Sequence, residues 1–178
     1  CDLFGHIMNC GDGVYGGVFV AGMYAAAYTE DTDVRKVLDA GLACIPTESL
    51  YHQCISDVIT WHAESPNDWR AVWHKIEEKW NDDIDCGMGH PINIDAKING
   101  AYIAMGLLYG EGDLQKTLEV STRCGQDADC NPSNAAGILG CMKGYSALSD
   151  WTDGFAEIEN MPFAYTDYSF KALIPACE

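Results

Sequence analysis

Positive charge is scarce in this 178-residue sequence: ten Lys and Arg stand against 27 Asp and Glu, a formal net charge of -17. Such a surface repels phosphate backbones and anionic headgroups, so no nucleic acid and no membrane is an expected partner. Most of these carboxylates read as a solvated face that keeps the protein soluble. Long apolar runs are missing as well. No stretch approaches the ~18 apolar residues of a membrane helix, and no charged segment followed by an apolar one marks a signal peptide. The nine cysteines contain no CxxC pair. Their closest spacing, Cys124 to Cys130, suits no usual zinc site and argues against that metal. No alternating polar and apolar segment reads as a strand, and there is no internal repeat or low-complexity stretch.

What is present is globular composition, 48% hydrophobic and 21% charged, which excludes disorder as the main state. A chain of this length is expected to form a single domain over residues 1–178 that buries roughly two thirds of the surface its unfolded form exposes. Cys44, Cys54 and Cys141 fall on apolar helical faces, where a free thiol behaves as a small core hydrophobe. Cys1, Cys10, Cys86 and Cys177 fall in loops or ends. They would form disulfides in an extracellular or periplasmic protein and stay reduced in a cytoplasmic one. The sequence opens on Cys1 without Met, and the expectation is a processed product or part of a longer chain.

Helical periodicity accounts for most of the chain. Residues 13–29 are apolar nearly all round, as expected of a central helix buried on every side. Residues 33–45 place Val34, Val37, Leu38, Leu42 and Ile45 on one stripe behind the cap oxygens of Asp31-Thr32-Asp33, and Pro46 ends it. Cys54, Ile55, Val58, Ile59 and Trp61 form the apolar face of a helix over 49–64. Ser65-Pro66 reads as a cap followed by a first-turn proline. The stripe Trp69, Val72, Trp73, Ile76, Trp80 reads as packing. Residues 81–93 form the longest irregular connection. Helical pattern resumes over 95–108, 113–122 and 132–148, and the tail beyond Trp151 reads as short helix and coil interrupted by Pro162 and Pro175. The fold class is all-α.

Chemistry concentrates in Arg123-Cys-Gly-Gln-Asp-Ala-Asp-Cys-Asn-Pro, where Asp127 and Asp129 stand two apart between two helices. Asn131 is the expected N-cap and Pro132 the first helical residue. Two carboxylates in a non-helical turn can face one point and hold a hard divalent cation such as Mg2+. The same acids also suit a plain cap and dipole partner, and spacing alone leaves both readings open.

The stretch Gly125-Gln126-Asp127-Ala128-Asp129-Cys130, followed by Asn134-Ala135-Ala136-Gly137-Ile138, resembles the carboxyl-terminal metal motif of the ADP-ribosylglycohydrolase family, G-x-D-x-D-T leading into an Ala/Gly-rich helix. Gly5-His6-Ile7-Met8-Asn9 and Tyr15-Gly16-Gly17-Val18-Phe19-Val20-Ala21 look like that family's His-containing loop and following buried helix. The resemblance covers most of residues 4–149. It implies a compact orthogonal helical domain with a two-metal Mg2+ site in a cleft. It also implies hydrolysis of a glycosidic bond between ADP-ribose and a modified side chain or small acceptor. In that chemistry the metals polarise the ribose hydroxyls and orient a water, while carboxylates outside the ligand shell handle protons. On this resemblance Asp127 and Asp129 are metal ligands. His6, Asn9, Tyr15, Gly125 and Gln126 are expected to contact ADP-ribose or the ADP-ribosylated substrate.

Two features depart from the pattern. Cys130 occupies the position of the family's metal-ligating Thr, and a thiol is a poor ligand for Mg2+, which weakens one of two ions. The family's amino-terminal Thr-Asp-Asp motif and acidic catalytic residue would precede residue 1, and neither Asp31-Thr32-Asp33 nor Asn81-Asp82-Asp83 replaces them. The resemblance therefore assigns no catalytic residue here. It implies the carboxyl-terminal part of a longer hydrolase, or one that works with a companion amino-terminal polypeptide. A self-associating relative without catalysis, crystallin-like or filament-forming, and a module that binds ADP-ribose without cleaving it are the alternatives.

Overall fold

A helix leaves its first N–H groups without partners, and this chain supplies short acceptor side chains where they are needed. The computed structural model describes residues 1–30, 33–81 and 94–177. It opens with α1 (Asp2–Gly5) and α2 (Asp12–Ala27). Asp33 then accepts from the N–H groups of Arg35 and Lys36 to start α3 (Val34–Leu42), and Ser49 accepts from His52 to start α4 (Leu50–Glu64). Asp68 caps α5 (Trp69–Trp80) through Ala71, Asp95 caps α6 (Ala96–Gly110) through Lys97 and Ile98, and Asp113 caps α7 (Leu114–Arg123) through Lys116. α8 (Cys130–Lys143) completes this series. Among the described residues there is no strand, so the all-α expectation holds. No described helix is long and apolar enough to cross a membrane.

The chain divides into two compact units, Cys1–Met142 and Lys143–Glu178. In the first, the central helix is α6: every residue from Lys97 to Gly110 is buried. The expectation that residues 13–29 fill this role is corrected, because α2 buries only Val14, Phe19, Met23 and Ala27. Its glycine-rich side, Gly13, Gly16 and Gly17, instead walls an open concavity. Glycine brings α7 against α6. A Cβ on Gly106 would stand 2.7 Å from Ser121 Cβ, and one on Gly110 would stand 2.9 Å from Thr117 Cα.

Three boundaries differ from the sequence reading. Pro66 does not open a helix, because Ser65 to Asp68 form a turn (Asp68 N–H to Ser65 O, 3.2 Å) and Asp68 takes the cap. α8 begins at Cys130, and it ends at Lys143 because Gly144 adopts φ 75°. Cys44 is exposed, lying just past the last residue of α3 with its thiol on the Ala40 carbonyl (3.3 Å). Cys54 is buried as expected and Cys141 is half-buried. Of the aromatic stripe on α5, Trp80 is buried and Trp69 and Trp73 stay half-exposed. The irregular connection lies, but for Asn81, outside the described residues, as does Cys86. Cys1, Cys10 and Cys177 are free thiols.

The second unit consists of a 3-10 helix (Tyr145–Trp151), α9 (Phe155–Ile158) and α10 (Phe170–Cys177). An aromatic cluster holds it together, with Phe170 at 5.2 Å from Phe155 and 4.8 Å from Phe163, ring centre to ring centre. Pro175 lies inside α10.

Candidate carboxylate site

The segment joining α7 to α8 turns through two successive residues of positive φ, Gly125 at 94° and Gln126 at 52°. The first is the ordinary place for glycine, and the second is a rare conformation for a residue with a side chain. What holds it is Asn99 of α6. The Asn99 Oδ1 accepts from the Asp127 N–H (3.2 Å) and from Asn131 Nδ2 (2.7 Å), while its Nδ2 donates to Gln126 Oε1 (3.1 Å) and to the Asp95 carbonyl (2.9 Å). One buried amide thus ties both ends of the turn to the central helix. Asn131, expected as the N-cap, lies inside the first turn of α8 with its side chain drawn inward to Asn99. The Asp127 carbonyl accepts from the Asn131 N–H (3.0 Å) and that of Asp129 from the Ser133 N–H (3.2 Å).

This arrangement brings one ligand atom each of Asp127, Asp129 and Cys130 within 4.8 Å of one another. Asp127 is half-buried, and its Oδ1 accepts from the Cys130 N–H (3.3 Å); Asp129 and Cys130 are exposed. A hydrogen bond with the Asp127 side chain, helped by the N–H groups of Asp129 and Cys130, holds the Asp129 carboxyl below its ordinary range. The hydrogen bond and charge of Asp127 push the Cys130 thiol up. As a donor set, the two carboxylates fit a hard cation, and a protonated thiol adds nothing to it.

Next to this turn lies a concavity of ≈ 320 Å³ whose wall includes Gly13, Gly16 and Gly17 of α2, Asn99 and Gly100 of α6, and Asn134 of α8. Tyr51 also lines it, buried with its ring against Gly16 and Gly100. Its backbone N–H donates to Asp12 Oδ1 (3.2 Å), and burial raises its phenol pKa. At Gly100 any Cβ would overlap the Tyr51 hydroxyl, whereas Gly17 faces open space.

The sequence-predicted residues fall into two groups. Gly125, Gln126, Asp127 and Asp129 occupy one turn. His6, Asn9 and Tyr15 lie elsewhere, and no residue of either group is on the wall of the concavity, to which Asn99 connects the turn. The His6 side chain is 59% exposed beyond α1, with Nδ1 2.9 Å from the Asp2 carbonyl. Asn9 is exposed and its side chain abuts Gly13. Tyr15 is half-buried against the core. Sequence reasoning missed Asn99, although an asparagine inside an otherwise apolar helical run was a usable signal, since a buried amide must find partners.

No curated protein and no solved structure matches this chain. The family model for ADP-ribosylglycohydrolase matches residues 3–172, nearly the whole of the chain, and the chain belongs to the ADP-ribosylglycohydrolase family.

Proposed function

We propose that this ADP-ribosylglycohydrolase-like hydrolase cleaves an ADP-ribose glycosidic bond with the help of Mg2+, using the Asp127 turn as part of its site. The observation that carries the reading is the double role of Asn99, which walls the concavity and fixes the turn bearing both carboxylates. Asp127 and Asp129 would hold the cation, whose contribution is to polarise ribose hydroxyls. The rest is done by the chain itself. Asn99 holds the carboxylates in place before substrate arrives, so their positioning requires no reorganisation during the reaction. The glycine surface of α2, bare at Gly17, lets a sugar approach the backbone closely. Gly125 sets the turn from which Gln126 would contact the substrate.

A companion amino-terminal polypeptide, or a preceding segment of the same chain, would supply the remaining acidic ligands and the catalytic acid. An apolar surface on which such a segment could pack supports this: Leu3, Phe4, Ile7 and Met8 are all exposed around α1. The test is release of ADP-ribose from ADP-ribosylated substrates by the chain joined to such a segment, with Mg2+ and with a chelator. Turnover that requires Mg2+ and is abolished by Asp127→Ala is expected. Turnover indifferent to both would rule the reading out.

A further inference from the structure

A second cleft, of ≈ 150 Å³, is walled by Trp69, Arg70, Trp73 and His74 of α5 and by Arg123 at the end of α7. It shares no lining residue with the concavity beside the carboxylates. In a chain with only ten Lys and Arg, two guanidiniums, an imidazole and two indoles meet there. The walls are fixed. The Trp73 Nε1–H donates to the Cys124 carbonyl (2.8 Å), and the His74 ring stands edge-on to Trp73 at 4.9 Å between centres.

The guanidinium of Arg70 lies over the Trp69 ring, 4.6 Å from its centre. Stacking fixes the plane of a guanidinium while leaving its N–H edge directed outward. Other cations of α5 and α7 are matched by acids: Lys75 with Glu64 (2.9 Å), Lys79 with Asp57 (2.5 Å) and Arg123 with Glu119 (3.1 Å). Among the described residues no carboxylate pairs with Arg70, despite 27 acids in the chain. Its donors are therefore available to an oxyanion from outside, with Arg123, paired to Glu119, also lining the cleft. The indole faces offer flat apolar area of a kind that oxyanions alone do not use.

We infer that this cleft binds a planar aromatic anion, with the ring against Trp69 and Trp73 and the anionic group at Arg70. Benzoate and its neutral isostere benzamide are the probes, added to the isotopically labelled full chain while the five tryptophan indole N–H resonances are followed. Benzoate is expected to shift the Trp69 and Trp73 signals saturably while those of Trp61, Trp80 and Trp151 stay in place. Benzamide should bind about tenfold more weakly, as the loss of one charge-assisted contact implies. Arg70→Gln, at an exposed position, should weaken benzoate by a similar factor of about ten and leave benzamide unchanged. Equal binding of acid and amide would overturn the proposal, as would uniform shifts of all five indoles, benzoate binding unchanged in Arg70→Gln, or no shift at all. Addition of Mg2+ and the Asp127→Ala variant should leave these shifts unaltered, which separates this cleft from the carboxylate site.

Discussion

A single buried amide organises the carboxylate turn. Asn99 meets Asp127 and Asn131 across 28 and 32 residues of sequence, so a local reading can flag it as a buried amide in need of partners but not name them. That Asp127 and Asp129 share one turn was legible because their spacing is local; the partners of Asn99 required the fold. Asn99→Ala leaves the Asp127 N–H and the Asn131 amide without partners inside the protein. It should lower stability by about 1–3 kcal/mol, measured by thermal unfolding, and reduce Mg2+-dependent ADP-ribose binding beyond what that loss explains. Cys130 carries a second prediction. Replacing its thiol by a hydroxyl supplies the oxygen ligand that the family motif places there, so Cys130→Thr should tighten Mg2+ binding in a calorimetric titration. Unchanged affinity would place Cys130 outside the ligand shell.

Helix starts are the best-read feature at the scale of elements, because Asp33, Ser49, Asp95 and Asp113 act on N–H groups only two or three residues away. Which helix lies at the centre was not legible. Residues 13–29 and 96–110 are both apolar nearly all round, and only the assembled bundle shows that α6 is buried from Lys97 to Gly110 while α2 buries only Val14, Phe19, Met23 and Ala27. The glycines of these helices are not equivalent. Gly110→Ala forces a methyl into Thr117, including its backbone, and should destabilise by about 1–3 kcal/mol in chemical unfolding. Gly17→Ala meets no atom within 4 Å and should stabilise by about 0.5–1 kcal/mol through reduced chain entropy. Because Gly17 walls the concavity, the same methyl should weaken ADP-ribose binding. A gain in stability without any loss of binding would remove this surface from the site.

For the molecule as a whole, acidity and burial have separate consequences. The charge of -17 says how the surface meets its surroundings, whereas alkaline stability is set by groups inside. Burial, with Glu77 nearby, raises the Cys124 thiol from 9.0 to about 12; burial, with Asp68 nearby, raises the Tyr109 phenol from 10.0 to about 12. Burial also pushes Cys54 and Tyr51 up. In the unfolded chain these groups lose their protons at ordinary values while the folded chain retains them. The stability these groups contribute should therefore be fully present below pH 9.0 and fall steadily as pH rises toward about 12, as followed by circular dichroism at fixed temperature. Cys124→Ser should make that decline shallower. The reading of the whole molecule as an ADP-ribose hydrolase rests on its family and on the turn that Asn99 holds. Calorimetric titration of ADP-ribose into the purified chain, with and without Mg2+ and with Asp127→Ala alongside, tests it most directly. Binding that requires both the metal and Asp127 is the predicted result; absence of binding under every condition, or binding equal in the variant, contradicts it.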